Sequence, residues 1–189
     1  MIWESHYWKE PLLKMADRIE KFSQKDGLTE RQGAQYERDI FIGYYTVRKL
    51  FESAGKVSNE TKVRKLSIIW FPKKSAAPIV DWYNRNEFWD LYDLQERHLE
   101  QRDALFVTHK VIHSFIMVGS SGGEGEPSGE FFTSDRDKEK RLYFVSASET
   151  VALFRAVGSD YPNFEFWTDK QTGERKWSAP AAKDEPSDG

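Results

Sequence analysis

Two histidines one helical turn apart are the most distinctive chemical feature of the sequence. His109 and His113 lie in the mainly apolar run 105–116, in a chain with four histidines and no cysteine. Residues four apart share one face of a helix, so both rings can reach a common metal ion. In the zinc-protease motif a glutamate follows the first histidine as general base, whereas Lys110 occupies that position here. We therefore predict no metal site and no cofactor.

Metal-independent acid–base chemistry becomes possible when Arg102 is included. Arg102 precedes His109 by seven residues, so a continuous helix places Arg102, His109 and His113 along one stripe. An arginine followed by four to six residues and a histidine resembles the active-site motif of HEPN ribonucleases. Asp103 matches the polar residue that usually follows the arginine, and the resemblance covers this segment and the two long helices before it. It implies RNA cleavage at a dimer interface, where a histidine deprotonates the 2′-hydroxyl and the arginine stabilises charge on the phosphate.

The alternative interpretation of the two histidines is structural. Leu105, Phe106 and Ile112 share or border the same stripe, which predicts that this face points towards the core. Histidines in a core commonly stay neutral and hydrogen-bond to a carbonyl or a carboxylate. We favour this interpretation and expect His109 and His113 to be buried.

A second candidate site is a basic segment with a central aromatic residue. Its members are Lys62, Arg64, Lys65, Trp70, Lys73 and Lys74. The β-branched and aromatic residues between them predict a strand within 62–74. Such a strand could bind single-stranded nucleic acid through stacking and charge, but lysines also protect edge strands against aggregation. Because the net charge is −3, we favour an edge strand, with RNA as a weakly supported partner.

The first third of the chain is predicted to form two antiparallel helices. Apolar residues recur at helical spacing over 12–22, with Pro11 at an early helical position. Thr29 and Gln32 form a capping-box pattern that opens a longer helix to about residue 54. Further on, we predict a short helix over 86–94 and a long one over 99–115. The segment 114–118 fits either the end of that helix or a strand.

The last third is predicted to be mainly β. Segments 129–133 and 141–145 predict one hairpin, and segments 163–169 and 174–179 predict another. Between the hairpins, Ser146 and Glu149 match a second capping box, which opens a short helix ending at Gly158. The predicted fold class is therefore α+β, with N-terminal long helices packed with a later, mainly antiparallel small sheet.

The order of these elements predicts a single α+β domain over residues 1–180. Its parts are a helical region (1–60), a mixed region (61–118) and a mainly β region with one short helix (129–180). The glycine-rich segment 119–128 lacks lysine and the spacing of phosphate-binding loops, so we predict a mobile loop. We expect the acidic tail 181–189 to be disordered.

The amino-acid composition excludes several kinds of functional site and of membrane protein. The absence of cysteine excludes disulfides and cysteine nucleophiles, and no apolar run approaches the roughly 18 residues of a membrane span. The N-terminus does not match a signal peptide, so we expect a cytoplasmic protein without membrane contact. Seven tryptophans require a large core or an aromatic contact surface. We predict a non-enzymatic interaction or regulatory module with a protein partner or as a homodimer; the alternative is a ribonuclease using Arg102 and His109.

Overall fold

The structure is a computed structural model that describes residues 2–25, 27–122 and 127–181. In chain order its elements are α1 (His6–Ser23), α2 (Glu30–Glu52), α3 (Asn59–Lys62), β1 (Lys65–Pro72), α4 (Phe88–Leu91), β2 (His98–Asp103), α5 (Ala104–Ile112), β3 (Ser114–Ser120), β4 (Gly129–Ser134), β5 (Arg141–Ser146), α6 (Ala147–Ser159), β6 (Glu165–Thr168) and β7 (Arg175–Ser178). N-terminal helices followed by antiparallel strands confirm the predicted α+β class.

Five strands form an antiparallel sheet in the order β2-β1-β5-β4-β3, and β6 and β7 form a separate hairpin. The two faces of the large sheet are covered by different parts of the chain. Leu66 and Ile68 of β1 belong to the core that includes the helices, whereas Phe71 packs with Phe88 and Tyr92 of the segment 73–97. This division follows from the alternation of side chains along a strand.

The helical layer is held together by close packing and, between α1 and α2, by an ion pair with a buried carboxylate. A side-chain carbon at Gly43 of α2 would overlap the ring of Phe154, so this glycine lets α6 approach α2 closely. Between α1 and α2, Arg18 binds the buried carboxylate of Asp39 through two hydrogen bonds of 2.7 and 2.8 Å. Gln35 donates a third, of 2.8 Å, to the same carboxylate. The polar groups of this interface therefore satisfy one another.

Local interactions fix the helix starts that the sequence predicts. The backbone N–H of Gln32 donates to Thr29 Oγ1 at 3.3 Å, and the Gln32 side chain accepts from the Thr29 N–H at 3.1 Å. Ser146 caps α6 by accepting from the backbone of Glu149 at 3.2 Å. The helix α1 begins five residues before Pro11, so proline lies inside the helix rather than at its first positions.

The prediction of one long helix over 99–115 is wrong. Residues 98–103 form β2, which pairs with β1 so that Leu66 lies opposite Arg102 and Trp70 opposite His98. The helix begins only at Ala104, and the alternative that 114–118 is a strand is confirmed by β3. Pairing with a distant strand determines the structure of β2, and the periodicity of residues 99–115 carries no information about that partner.

The prediction that the basic strand lies at the sheet edge is also wrong, because β1 is flanked by β2 and β5. Both hairpins are confirmed, and so is the short helix α4, although it is shorter than predicted.

Segments 123–126 and 182–189, which contain four of the ten residues of the predicted mobile loop and all of the predicted acidic tail except Ala181, lie outside the described residues, while Gly119 and Ser120 belong to β3. No helix in the described part of the chain is both long and apolar enough to cross a membrane.

Candidate functional site

His109 and His113 are solvent-exposed, so the expectation that they are buried is wrong. Both lie at the C-terminal end of α5, where His109 is on the last turn and His113 is the capping residue. Their ring centroids are 4.7 Å apart. The helix α5 directs Val107 and Val111 into the core, and its exposed face presents the two imidazoles together.

Arg102 does not share a helix with these histidines, because it lies on β2. Its guanidinium forms an ion pair of 2.6 Å with Glu100, two residues back on the same strand. The same group lies 4.8 Å from the ring centroid of Phe106, which favours a cation–π contact. The stripe of Arg102, His109 and His113 predicted for a continuous helix is therefore not formed.

Arg48 of α2 is the arginine that reaches the histidine pair. Its Nη1 lies 3.2 Å from Nε2 of His113, and its Nε donates to Glu52 at 2.7 Å. An arginine side chain has only donors, so His113 Nε2 must be the acceptor in this bond. We call Arg48, His109 and His113 the histidine cluster. Burial, then the positive charges of His113, Arg48 and Lys110, hold the pKa of His109 below its ordinary value.

Lys110, which replaces the glutamate of the zinc-protease motif, has structural partners. It forms an ion pair with Asp137 and donates to Ser134 Oγ at 3.2 Å. Although burial of Asp137 acts in the opposite direction, the Lys110 contacts hold the pKa of this carboxyl below its ordinary value. Among residues 2–25, 27–122 and 127–181, no three histidine, cysteine or acidic side chains are grouped to hold a metal ion.

The predicted nucleic-acid patch is divided between the two ends of β1. Lys62, Arg64 and Lys65 lie at or before its start, whereas Lys73 and Lys74 follow its end, roughly 26 Å away at about 3.3 Å per residue. The far lysines are engaged: Lys73 pairs with Glu139 at 2.9 Å, and Lys74 donates to the carbonyl of Trp89 at 2.9 Å.

Trp70, the aromatic residue at the centre of the predicted patch, already has stacking partners. Its ring stacks on His98 with a centroid separation of 4.0 Å, and the Arg141 guanidinium lies 4.5 Å from the ring. A nucleic-acid base would have to displace one of these neighbours in order to stack on Trp70. The structure therefore does not bring the six predicted residues together as one open platform.

A cavity of about 380 Å³ lies between the end of α1, the first half of α2 and the adjoining ends of β3 and β4. Its principal lining residues are the apolar Phe22, Leu28, Ile40 and Met117 and the polar Tyr36 and Glu130. Gly119 of β3 lies beside the Tyr36 ring, where an added side-chain carbon would make an ordinary contact of 3.7 Å. Pockets of a few hundred cubic ångströms with few polar groups are typical of small-molecule sites.

Glu130 is a fully buried carboxyl at the floor of this cavity. The hydroxyl of Tyr36 donates to Oε1, and the hydroxyl of Thr150 donates to Oε2 at 3.3 Å. Thr150 is in turn 2.9 Å from the hydroxyl of Tyr44, so the network extends to the centre of α2. Burial raises the pKa of Glu130 to about 7, although the Tyr36 and Thr150 hydrogen bonds act in the opposite direction.

Glu130 was not among the candidate site residues predicted from the sequence. Side chains alternate between the two faces of β4, so Glu130 lies on the same face as Phe132, which is wholly buried. The spacing of these two residues was therefore the sequence signal that could have predicted a buried carboxyl. Its partner Tyr36 is 94 residues away in the sequence, and no local pattern connects the two.

Comparisons with protein-family models, curated proteins and solved structures gave no match. No family is therefore assigned.

Proposed function

We propose that this protein is a non-enzymatic regulatory module that binds a small organic cation with an apolar body in the cavity above Glu130. One observation supports this most directly: a wholly buried carboxyl, with a pKa of about 7, lines a cavity of about 380 Å³. A buried carboxylate is unfavourable unless a proton or a cation neutralises it. In the empty cavity the proton does so, and in the complex the ligand's ammonium group replaces it.

The apolar part of the lining, which alternates with several serines, fits the apolar body of such a ligand. Leu28, Ile40 and Met117 provide aliphatic surface, and the rings of Phe22 and Tyr36 are 6.5 Å apart at their centroids. Aromatic faces attract organic cations, so the two rings favour the same ligand charge as Glu130 does. A ligand with one aromatic ring and one ammonium group is within the size range of such pockets.

Benzylamine tests this proposal by calorimetry. We expect its affinity at pH 8 to exceed that at pH 5.5 by about 30-fold, because binding requires ionised Glu130 and the fraction ionised falls below a pKa of about 7. At pH 7 binding should release about half a proton, which is measured from the binding heats in buffers of different ionisation enthalpy.

Two controls separate charge from shape. Benzyl alcohol has a similar shape without the charge and should bind weakly at both pH values. Glu130→Gln should lower benzylamine affinity at pH 8 at least about tenfold, whereas Glu37→Gln, at the exposed side of the same cavity, should have little effect. Equal binding of alcohol and amine, or unchanged amine affinity in Glu130→Gln, would contradict the proposal.

A metal-independent ribonuclease is the second candidate, and the exposure and proximity of His109 and His113 favour it. The engagement of Arg102 with Glu100 argues against the predicted pair of Arg102 and His109. We expect single-stranded RNA to remain intact with the wild-type protein in EDTA. Cleavage that persists in EDTA, disappears in His109→Ala and survives in His98→Ala would establish the ribonuclease instead.

The partner of the regulatory module is proposed to be another protein or a second copy of the chain. Trp82, Tyr83 and Trp89 support this, because these large side chains are exposed within the segment 73–97 and aromatic residues are enriched at interfaces. Sedimentation of the wild type and of Trp82→Ser tests self-association.

A cytoplasmic location is also part of the proposal and is supported by the absence of cysteine. Fractionation of cells that express the protein would test it.

A further inference from the structure

The histidine cluster lies on the surface where the second half of α2 meets the end of α5. Nη1 of Arg48 is 3.2 Å from Nε2 of His113, and the two imidazole centroids are 4.7 Å apart. Both histidines are exposed, and about a third of the Arg48 side chain is exposed. Three nitrogen-bearing side chains therefore share one solvent-facing site, which is separate from the cavity above Glu130.

We propose that Arg48, His109 and His113 bind the phosphate group of a phosphate monoester. The guanidinium supplies planar paired donors, a geometry that matches phosphate oxygens. Each imidazole supplies one further donor when it is protonated on the nitrogen that faces the anion. This inference does not depend on the cavity or its ligand.

The charges around the cluster favour an anion. On α2 the neighbours are Lys49 and Glu52, and Glu52 pairs with both Arg48 and Lys49. On α5 the neighbour is Lys110, whose partner is Asp137 from the turn between β4 and β5. With neutral histidines the three cations and two anions leave one positive charge, and protonation of both imidazoles adds two more.

The hydrogen bond between Arg48 and His113 links phosphate binding to protonation. It requires an unprotonated Nε2 on His113, because arginine only donates. When Nε2 is protonated, both groups become donors and this bond is lost. A phosphate oxygen between them accepts from both and restores the lost interactions. Phosphate binding should therefore be tighter at pH 6 than at pH 8, and bound phosphate should raise the pKa of His109, which burial and then its cationic neighbours lower.

Proton NMR of the four histidine rings tests the proposal, with inorganic phosphate and adenosine 5′-monophosphate titrated separately at constant ionic strength. We expect the ring signals of His109 and His113 to shift and saturate, with tighter binding at pH 6 than at pH 8 once protonation of the phosphate over this range is accounted for. The signals of His6 and His98 serve as internal controls. Tighter binding of the nucleotide than of inorganic phosphate would support a phosphate monoester as the ligand, whereas equal binding would overturn that assignment in favour of the free anion.

Matched arginine variants on α2 distinguish a site from general attraction. Arg48→Gln should weaken binding at least about tenfold, whereas Arg38→Gln, an exposed arginine on the same helix, should leave it unchanged. His113→Gln provides a second variant at the site. Shifts that fail to saturate, or an equal loss of binding in Arg48→Gln and Arg38→Gln, would overturn the proposal.

Discussion

As the pH rises from 5 to 8, the titration of Glu130 alone is expected to lower the free energy of unfolding by about 2.5 kcal/mol. This follows from a pKa of about 7 in the folded protein and an ordinary value of 4.5 in the unfolded chain. Up to the folded pKa of about 7 the folded state keeps the proton, whereas the unfolded state has already released most of it. Raising the pH therefore favours unfolding until Glu130 ionises in both states. The stabilisation is complete below the unfolded pKa and is lost as the pH rises through the folded one.

Urea unfolding of the wild type and Glu130→Gln at several pH values measures this contribution. Glutamine is neutral throughout and still offers an acceptor to Tyr36, so the variant should lack the decline and be more stable than the wild type at pH 8. Other titrating groups are common to both proteins and cancel in the difference. Identical pH profiles for the two proteins would show that Glu130 titrates normally, and Glu37→Gln should keep the wild-type profile.

The same free energy explains why the cavity suits a cation. At pH 8 the empty protein contains an ionised carboxylate that is buried, which is costly. A bound ammonium group offsets that cost without a proton. We therefore expect the stabilisation of the wild type by benzylamine to be larger at pH 8 than at pH 5.5. This links the thermodynamics of folding to the proposed regulatory role.

Phe154→Ala is expected to lower the free energy of unfolding by about 4 kcal/mol, the range found for deletion of a buried phenyl ring. Phe154 is wholly buried, its ring lies edge-on to Tyr44 with centroids 5.2 Å apart, and it fills the space over Gly43.

Gly43→Ala should itself lower the free energy of unfolding by about 2 kcal/mol, although alanine has the better helix propensity, because its methyl group overlaps the Phe154 ring.

A double-mutant cycle checks the contact by chemical denaturation. The combined variant should cost less than the sum of the two single variants, because the methyl group at position 43 enters the space that the ring vacates. Gly33→Ala is the matched control on α2: it meets nothing within 4 Å and should stabilise the protein by up to about 1 kcal/mol. Additive costs, or a neutral Gly43→Ala, would mean that α6 does not pack on α2 at this point.

Elements whose information is local were predictable from the sequence. The helix α2 follows from apolar periodicity and from a capping box whose partners are three residues apart. The cap of α6 at Ser146 depends on a neighbour three residues away, and the hairpin of β4 and β5 depends on partners 11 to 17 residues apart across one turn. In each of these elements the interacting residues are close together in the sequence, so a local pattern includes both partners.

The strand β2 was not predictable from local sequence patterns. Its residues fit a helical pattern that continues into α5, yet they pair with β1, where Lys65 lies opposite Asp103. Strand formation depends on a partner and on the surface it covers, so propensity alone does not decide it. The predicted helix placed Arg102 on one face with His109 and His113, whereas Arg102 lies on β2, so the predicted site geometry was wrong.

Sequence patterns were sufficient to predict the fold class, the helices α2 and α6, the two hairpins and the proximity of His109 and His113. The exposure of these histidines, the contact of Arg48 with His113 across 65 residues and that of Tyr36 with Glu130 across 94 became evident only in the folded protein. The physical reason is the range of the interactions. Capping and periodicity act over a few residues, whereas burial, pKa and ion pairing are properties of groups that come together only when the chain has folded.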